Sequence, residues 1–435
     1  MTTPQVFPVP NLTTSLTGPL LELEHCFLEK QTEIEAWFRA QWQISRAPIT
    51  SSVDLRNAGF KVAPIDTNLF PAGFNNLNQA FMPLCIQAME HALNEHCPQG
   101  SHVLIIPESH TRNTHYYESL FVLANIVKKS GYHVMLGSLS DTIDKSKTIV
   151  LASGETMTIH RIEKVQGRLL VEGNGACFYL LNNDLSDGIP ETLTELSSPI
   201  ESPTALSWFS RKKSTHFMHY QQICESFAKV TDIDPWLINP LFRICTNIDF
   251  MAREGEACLI QHTELLMSAI QKKYDEYGIK QKPFVVIKSD AGTYGMGILI
   301  INDIDDLKSL NRKQRKKMAA GKGSVKITQV ILQEGVPTKE TVGPSMAMAE
   351  PVVYMLGKHV VGGFYRVHAG RAENENLNAP GSSFEPLAFA APCNNPRTDA
   401  DKASVDEPEN RFYAYGVIAQ LAALAAAHER AQVLS

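Results

Sequence analysis

No two of the eight cysteines form a C-x-x-C pair, and no H-E-x-x-H stands among the fourteen histidines. These absences exclude the common zinc-site spacings, and His216 and His219 stand only as an isolated pair. Cys26, Cys85, Cys97, Cys177, Cys224, Cys245, Cys258 and Cys393 are scattered, so they read as reduced, mostly buried thiols rather than a disulfide frame. A catalytic cysteine is the lesser reading. An excess of positive charge is also lacking: the formal net charge is -6 and the pI about 6.2. The chain therefore has no global pull toward nucleic acid or an anionic membrane. No apolar run approaches the ~20 residues that a membrane helix needs. The first residues, MTTPQVFPVPNLTT, lack the basic-then-apolar layout of a signal peptide. These absences lead us to expect a cytoplasmic α/β protein with no nucleic-acid or membrane partner.

What is present is enough apolar material for two or three packed units: 435 residues, 44% of them hydrophobic. Residues 19–43 have apolar positions at helical spacing. The stretch SVDLRNAGFKVAPIDTNLFPAGFNNLN is polar and rich in glycine and asparagine, and reads as a shaped loop. FMPLCIQAMEHALNEH, HVLIIP, YYESLFVLANIVKKSG and YHVMLGS follow as helix, strand, helix and strand, an order that suggests a parallel sheet. Between about 145 and 185 the short strands TIVLAS, MTIHRIEKV, RLLVEG and CFYLLNND suggest an antiparallel patch. The Pro- and Ser-rich LSDGIPETLTELSSPIESPTAL carries the chain across to a second half, so we place units at 1–200 and 201–435. In the second half, residues 216–230 and 253–277 read as helices, and FYAYGVIAQLAALAAAHERAQVL as a closing helix.

The stretch VIKSDAGTYGMGI (286–298) raises the question of a phosphate site. It is not a Walker A loop, because Lys288 precedes the glycines. Nor is it a dinucleotide fingerprint, because the order is G-x-x-G-x-G and a strand follows. Strand, glycine loop and strand make a hairpin whose tip has little bulk and many backbone N–H groups. Lys288 would set a compact charge against phosphate oxygens. A plain glycine-tipped hairpin fits this segment equally well. Downstream, VILQEGV (330–336) is an apolar strand with a polar exit, of the kind whose backbone can hold an adenine edge. EPVVYMLGKHVVGGFYRVH then reads as a hairpin turning at Gly357-Lys358. That turn sets Glu350 opposite Tyr365 and close to Arg366, either as a salt bridge or as a grip on metal and phosphate.

This order of strand lysine, glycine flap, adenine edge and acid–arginine ribbon resembles the ATP-grasp ligases. SVDLRNAGFKVAPIDTNLFPAGFNNLN, PWLINP, KPFVVIKSDAGTYGMG, LNRKQRKKM, EPVVYMLGKHVVGGFYRVH and ENLNAPGSSFEPLAF together resemble a bacterial glutamate–cysteine ligase family, from about residue 8 to 415. The resemblance implies an N-terminal α/β unit with a parallel sheet, followed by an ATP-grasp-like unit. It also implies an ATP- and Mg²⁺-dependent joining of the L-glutamate γ-carboxylate to the amino group of L-cysteine through an acyl phosphate, the first step of glutathione biosynthesis. On this resemblance Lys288 and Arg366 are the catalytic phosphate ligands. Gly292, Gly295 and Gly297 form the flap, and Gln333, Glu334 and Val336 the adenine hinge.

The family's usual Glu-x-Asn is missing from ENENLN (Glu373 to Asn378), so Glu350, Glu375, Asn376 and Asn378 are the candidate metal ligands. For the amino-acid substrates the candidates are Arg56, Lys61, Asp66, Asn68, Asn75 and Asn76, where an arginine can clamp a carboxylate. Arg112, Asn113, Asn183 and Asp184 join them because they follow strands, although loop capping explains such residues equally well. Arg211 to Lys213 reach either an acidic ligand or solvent. The run RKQRKK (312–317) has no aromatic platform and reads as a solvated helix. Two alternatives stay open: an ATP-grasp ligase for other amino acids, and a nucleotide-binding regulator without catalysis. Oligomeric state is likewise open, with a homo-oligomer admitted.

Overall fold

The computed structural model describes residues 12–13, 19–109, 114–185, 188–292, 297–319, 326–387 and 411–434. The expected parallel sheet is present. Its strands run in the order Ile200–Glu201, Phe178–Asn182, His102–Pro107, His133–Ser138, Thr156–Arg161 and Ser146–Val150. All neighbours pair in parallel except the last two. HVLIIP and FYLLN read as unbroken apolar runs because both faces are covered, one of them by the helices Met82–Asn94 and Thr114–Lys129. Phe178–Asn182 thus belongs to the parallel sheet and not to the expected antiparallel patch. The strands before it do pair antiparallel, Ser146–Val150 with Thr156–Arg161, and Arg168–Val171 with Glu163–Val165 and Asn174–Gly175.

Two departures concern helices and thiols. The N-terminal helix is two helices, Pro19–Glu29 and Gln31–Ile44, which meet at Lys30. Cys97 and Cys177 form a disulfide across 80 residues of sequence, contrary to the expectation of reduced thiols throughout. Cys177 sits just before the strand that pairs with His102–Pro107, so the sheet itself brings the two together.

The polar stretch after residue 50 is not a loop. It forms the antiparallel strands Thr50–Asn57 and Val62–Asn68. Val53 and Leu55 alternate with Ser52, Asp54 and Arg56, so one face enters the core while the other stays polar. Thr50–Asn57 pairs with Ala347–Leu356, in a seven-stranded sheet that also holds Glu340–Val342, His359–His368 and Ser383–Pro386. A single sheet therefore crosses the boundary placed at residue 200. The hairpin turns at Gly357-Lys358 as expected, but its register shifts by one between Tyr354 and Met355. This bulge sets Glu350 directly opposite Arg366 instead of Tyr365.

A four-stranded antiparallel sheet runs in the order Phe242–Thr246, Gln329–Glu334, Val285–Ser289 and Ile298–Ile301. Between it and the seven-stranded sheet pass the helices Lys213–Thr231 and Arg411–Leu434. Nearly every residue from Tyr413 to Ala427 is buried, as expected for a helix apolar on all sides. Its alanines let neighbouring strands approach closely.

Candidate active site

A cleft of about 640 Å³ opens between the two antiparallel sheets, a size that suits a small-molecule ligand. Strand alternation builds its first wall. Ser52, Asp54 and Arg56 project from one strand, Glu350, Val352 and Tyr354 from the next, and Phe364 and Arg366 from the third. Arg56 Nε donates to Glu350 Oε2 at 3.0 Å, and Arg366 Nη1 donates to Glu350 Oε1 at 2.6 Å. Arg366 also donates to Asp54 Oδ2 at 3.0 Å, which completes a chain of alternating charges that is buried except at half-buried Asp54. The remaining Arg56 donors go to the carbonyls of Val336, Glu373 and Glu375. Burial raises the Glu350 pKa, yet Arg56 and Arg366 outweigh it and hold the carboxylate below its ordinary range. At Asp54 burial wins over Arg366 and the pKa is raised.

The second wall carries Val286 and Lys288, with Ile298, Ile300 and Gln333 on neighbouring strands. Lys288 Nζ donates to the Ile65 carbonyl at 2.8 Å and to Gln333 Oε1 at 2.7 Å, both neutral acceptors. Burial pulls its pKa down to about 8, although the nearby Asp66 works against this. Gly292 (φ 95°) and Gly297 (φ 66°) flank the loop in backbone conformations that suit glycine. A Cβ at Gly297 would come within 3.0 Å of Ile327 Cδ1. Gly295 lies outside the described residues.

At one end of the cleft, Lys213 reaches Asp66 at 3.4 Å, and Arg211 forks onto Glu429 at 2.8 and 2.7 Å. His216 Nδ1 lies 2.5 Å from Glu429 Oε1 and 2.9 Å from Arg211 Nη2. The shorter contact, to a carboxylate that only accepts, calls for Nδ1–H and leaves the lone pair on Nε2. Nε2 is buried without a hydrogen-bond partner, and the ring lines the cleft. Burial lowers the His216 pKa in spite of Glu429, which favours the neutral ring. Burial alone would raise the Asp66 pKa, but Lys213, Lys288 and Arg211 hold it low.

Of the residues singled out from sequence, Arg56, Asp66, Asn68, Asn76, Lys288 and Arg366 line this cleft. So do Gly292, Gln333, Glu334, Val336 and the candidate metal ligands Glu350, Glu375, Asn376 and Asn378. Their roles differ from the expectation in two places. Both Glu350 oxygens are held by arginines, which makes it a linker between cations. The Glu334 carboxylate pairs with Lys61 at 3.0 Å and accepts from Trp236 Nε1, while its backbone N–H donates to Leu241.

Lys61 is therefore no substrate ligand: its side chain is 1% exposed, with Nζ 4.2 Å from the Trp236 ring centre. Asn75, Asn183, Asp184 and Gly297 do not line the cleft. Asn183 instead ties the Pro107 carbonyl to the Leu185 N–H, which is the loop-capping role. Arg112 and Asn113 lie outside the described residues. Sequence reading missed Asp54, Tyr116, Trp208, His216 and Glu429. The S-V-D-L-R alternation contains the signal for Asp54. His216 and Glu429 stand 213 residues apart with none.

Fold and site together define a mixed α/β protein whose cleft is lined by both paired and under-paired cations. The sequence model of the Glutamate-cysteine ligase family (GshA) matches residues 24–430, and the chain belongs to that family of ligase enzymes. A crystal structure from Methylobacillus flagellatus KT, provisionally named a gamma-glutamylcysteine synthetase, is 49% identical. It covers 99% of this chain and 100% of its own, at a TM-score of 0.89. The RimK domain ATP-grasp protein of Sphaerobacter thermophilus DSM 20745 is 10% identical over 74% of this chain and 99% of its own, with a TM-score of 0.30. D-alanyl-alanine synthetase A of Vibrio cholerae O1 biovar eltor is 10% identical over 75% and 82%, with a TM-score of 0.34. Similarity at those last two scores carries no argument. No curated protein matches the chain. Among the described residues no helix is long and apolar enough to cross a membrane.

Proposed function

We propose that this chain joins the γ-carboxylate of L-glutamate to the amino group of L-cysteine at the cleft between its two antiparallel sheets, in the manner of the ATP-grasp ligases. A glutamate γ-carboxylate oxygen attacks the γ-phosphorus of ATP and ADP leaves. The cysteine nitrogen then attacks the acyl carbon, and phosphate leaves with the bonding pair. The observation that carries this reading is Lys288. It is a half-buried ammonium held only by neutral oxygens, and an arriving phosphate would complete its charge. Arg366, fixed by Glu350 and Asp54, presents its guanidinium from the opposite wall.

His216 is the base that the cleft offers to the cysteine ammonium. Glu429 holds its Nδ1–H, and the free Nε2 lone pair accepts the proton before attack. Magnesium, which neutralises charge on the phosphoryl oxygens when bound with ATP, prefers hard oxygen donors. Glu375, Asn376 and Asn378 line the cleft and carry such oxygens, so the donor types fit. Glu375 is, however, held by Arg371 and the Ala372 N–H, and Asn376 Oδ1 by the Asn378 N–H, contacts an ion would have to displace. Glu350 fits less well, since two buried arginines hold both of its oxygens. Asp66, half-exposed beside Lys213, suits an amino-acid ammonium.

The test is the purified chain with ATP, Mg²⁺, L-glutamate and L-cysteine, read by product mass and ADP release. A product with the mass of γ-glutamylcysteine and one ADP per bond supports the reading. ADP release only with a different amine would move the substrate assignment. No ADP release with any amino-acid pair would leave a nucleotide-binding regulator.

A further inference from the structure

Three soft ligands meet on the other face of the four-stranded sheet. Cys245 lies opposite Val330 in the register, and so on the face away from Gln333 and Lys288. Cys258 and His262 stand four residues apart on the helix Glu256–Glu276, hence on one side of it. Cys245 Sγ lies 3.0 Å from Cys258 Sγ and 3.3 Å from His262 Nδ1, and Cys258 Sγ is 3.9 Å from the same nitrogen. All three ligand atoms fall within 4.8 Å of one another. No other such group of metal-ligating side chains occurs among the described residues.

We infer that Cys245, Cys258 and His262 form a binding site for a thiophilic divalent cation of the zinc type. With Zn–S near ~2.3 Å and Zn–N near ~2.0 Å, tetrahedral ligands stand roughly 3.5–3.8 Å apart. Both sulfur–nitrogen separations are already within half an ångström of that range. The sulfurs must part by less than one ångström, and Cys258, only half-buried, has room for this. Three protein ligands leave a fourth position for water.

On binding, the two thiols release their protons. His262 Nδ1 now lies 3.0 Å from the Ile244 carbonyl; a proton that it donates there moves to Nε2 when Nδ1 takes the ion. The ion would tie the edge strand Phe242–Thr246 to the helix behind it. That strand pairs with the one carrying Gln333, the acceptor for Lys288, so the site braces one wall of the cleft from outside. None of this depends on the ligase reading.

The test uses the full chain, reduced and stripped with a chelator, then titrated with Co²⁺. Expected are one equivalent of tetrahedral cobalt bands with a thiolate charge-transfer band, displacement by Zn²⁺, and a rise in Tm with Zn²⁺. Cys258→Ser and His262→Gln should each weaken binding at least ~10-fold, since even outer-shell losses cost that much. Cys26→Ser, at a thiol elsewhere in the fold, should bind as the parent does. A folded, reduced parent that gives no cobalt spectrum overturns the inference, as does a Cys258→Ser variant that binds equally well. Formation of a Cys245–Cys258 disulfide by a protein that takes no cobalt when reduced also overturns it.

Discussion

The two walls of the cleft handle buried charge in opposite ways. On the seven-stranded wall every charge has a partner: Arg56 and Arg366 share Glu350, and Arg366 also holds Asp54. On the four-stranded wall Lys288 has only a carbonyl and an amide oxygen, and its pKa has fallen to about 8 in response to burial. A network of paired charges fixes geometry, and its one opening toward a ligand is Arg366, whose Nε is buried without a hydrogen-bond partner. An under-paired cation carries a desolvation cost in the free protein that an anion can relieve on binding. On the proposed function the first wall is chiefly scaffold, with Arg366 as its contribution to the phosphate site, and the second is receptor.

The comparison breaks most visibly at Glu350. Glu350→Gln removes the negative charge shared by two buried arginines and turns one of its two acceptor oxygens into a donor, and should cost about 3–5 kcal/mol in urea unfolding. Unchanged stability with lost activity would instead make Glu350 a ligand. Lys288→Met should do the reverse: stability equal or higher, with kcat/KM for ATP down by about 10²–10³. Loss of stability without loss of turnover would show that the receptor wall has been misread.

His216→Asn keeps a donor for Glu429 but no base. It should lower kcat by about 10² and remove the fall in kcat at acid pH, because only the neutral ring accepts a proton. A pH profile parallel to that of the parent would reduce His216 to packing.

The smallest effect is one of pH. Because the folded pKa of Lys288, about 8, lies below its unfolded value, the unfolded chain binds more protons between the two. Stability from this group therefore rises with pH across that window. ATP affinity should fall about tenfold per unit above the folded pKa as the ammonium is lost. Lys288→Arg should flatten that dependence. An equally steep slope in that variant would assign the titration to another group.

How much was legible follows from distance along the chain. The Gly357 turn and the strand–glycine–strand order of 285–301 are local, and both were readable. The register error at Glu350 came from a bulge at Val361–Gly362, which the glycine pair inside HVVGGFYRVH signals but does not place to the residue. The hairpin at 50–68 passed for a loop because Gly59, Pro64 and its asparagines diluted a period-two pattern that Val53 and Leu55 preserve. Glu334 stands at a strand exit as expected, yet its side chain turns to Lys61, 273 residues away. Pairings across such separations are set by packing, and a single sequence does not display them.

The pairing of Thr50–Asn57 with Ala347–Leu356 also sets a schedule for synthesis. Asp54 meets Val352, and 352 − 54 leaves 298 residues to be made before the edge of that strand is covered. At ~5–20 residues per second, the early hairpin waits on the order of 15–60 s. During that time its edge is open to other chains. Ser52, Asp54 and Arg56, which later shape the cleft, serve in the interval as the polar and charged side chains that discourage mispairing.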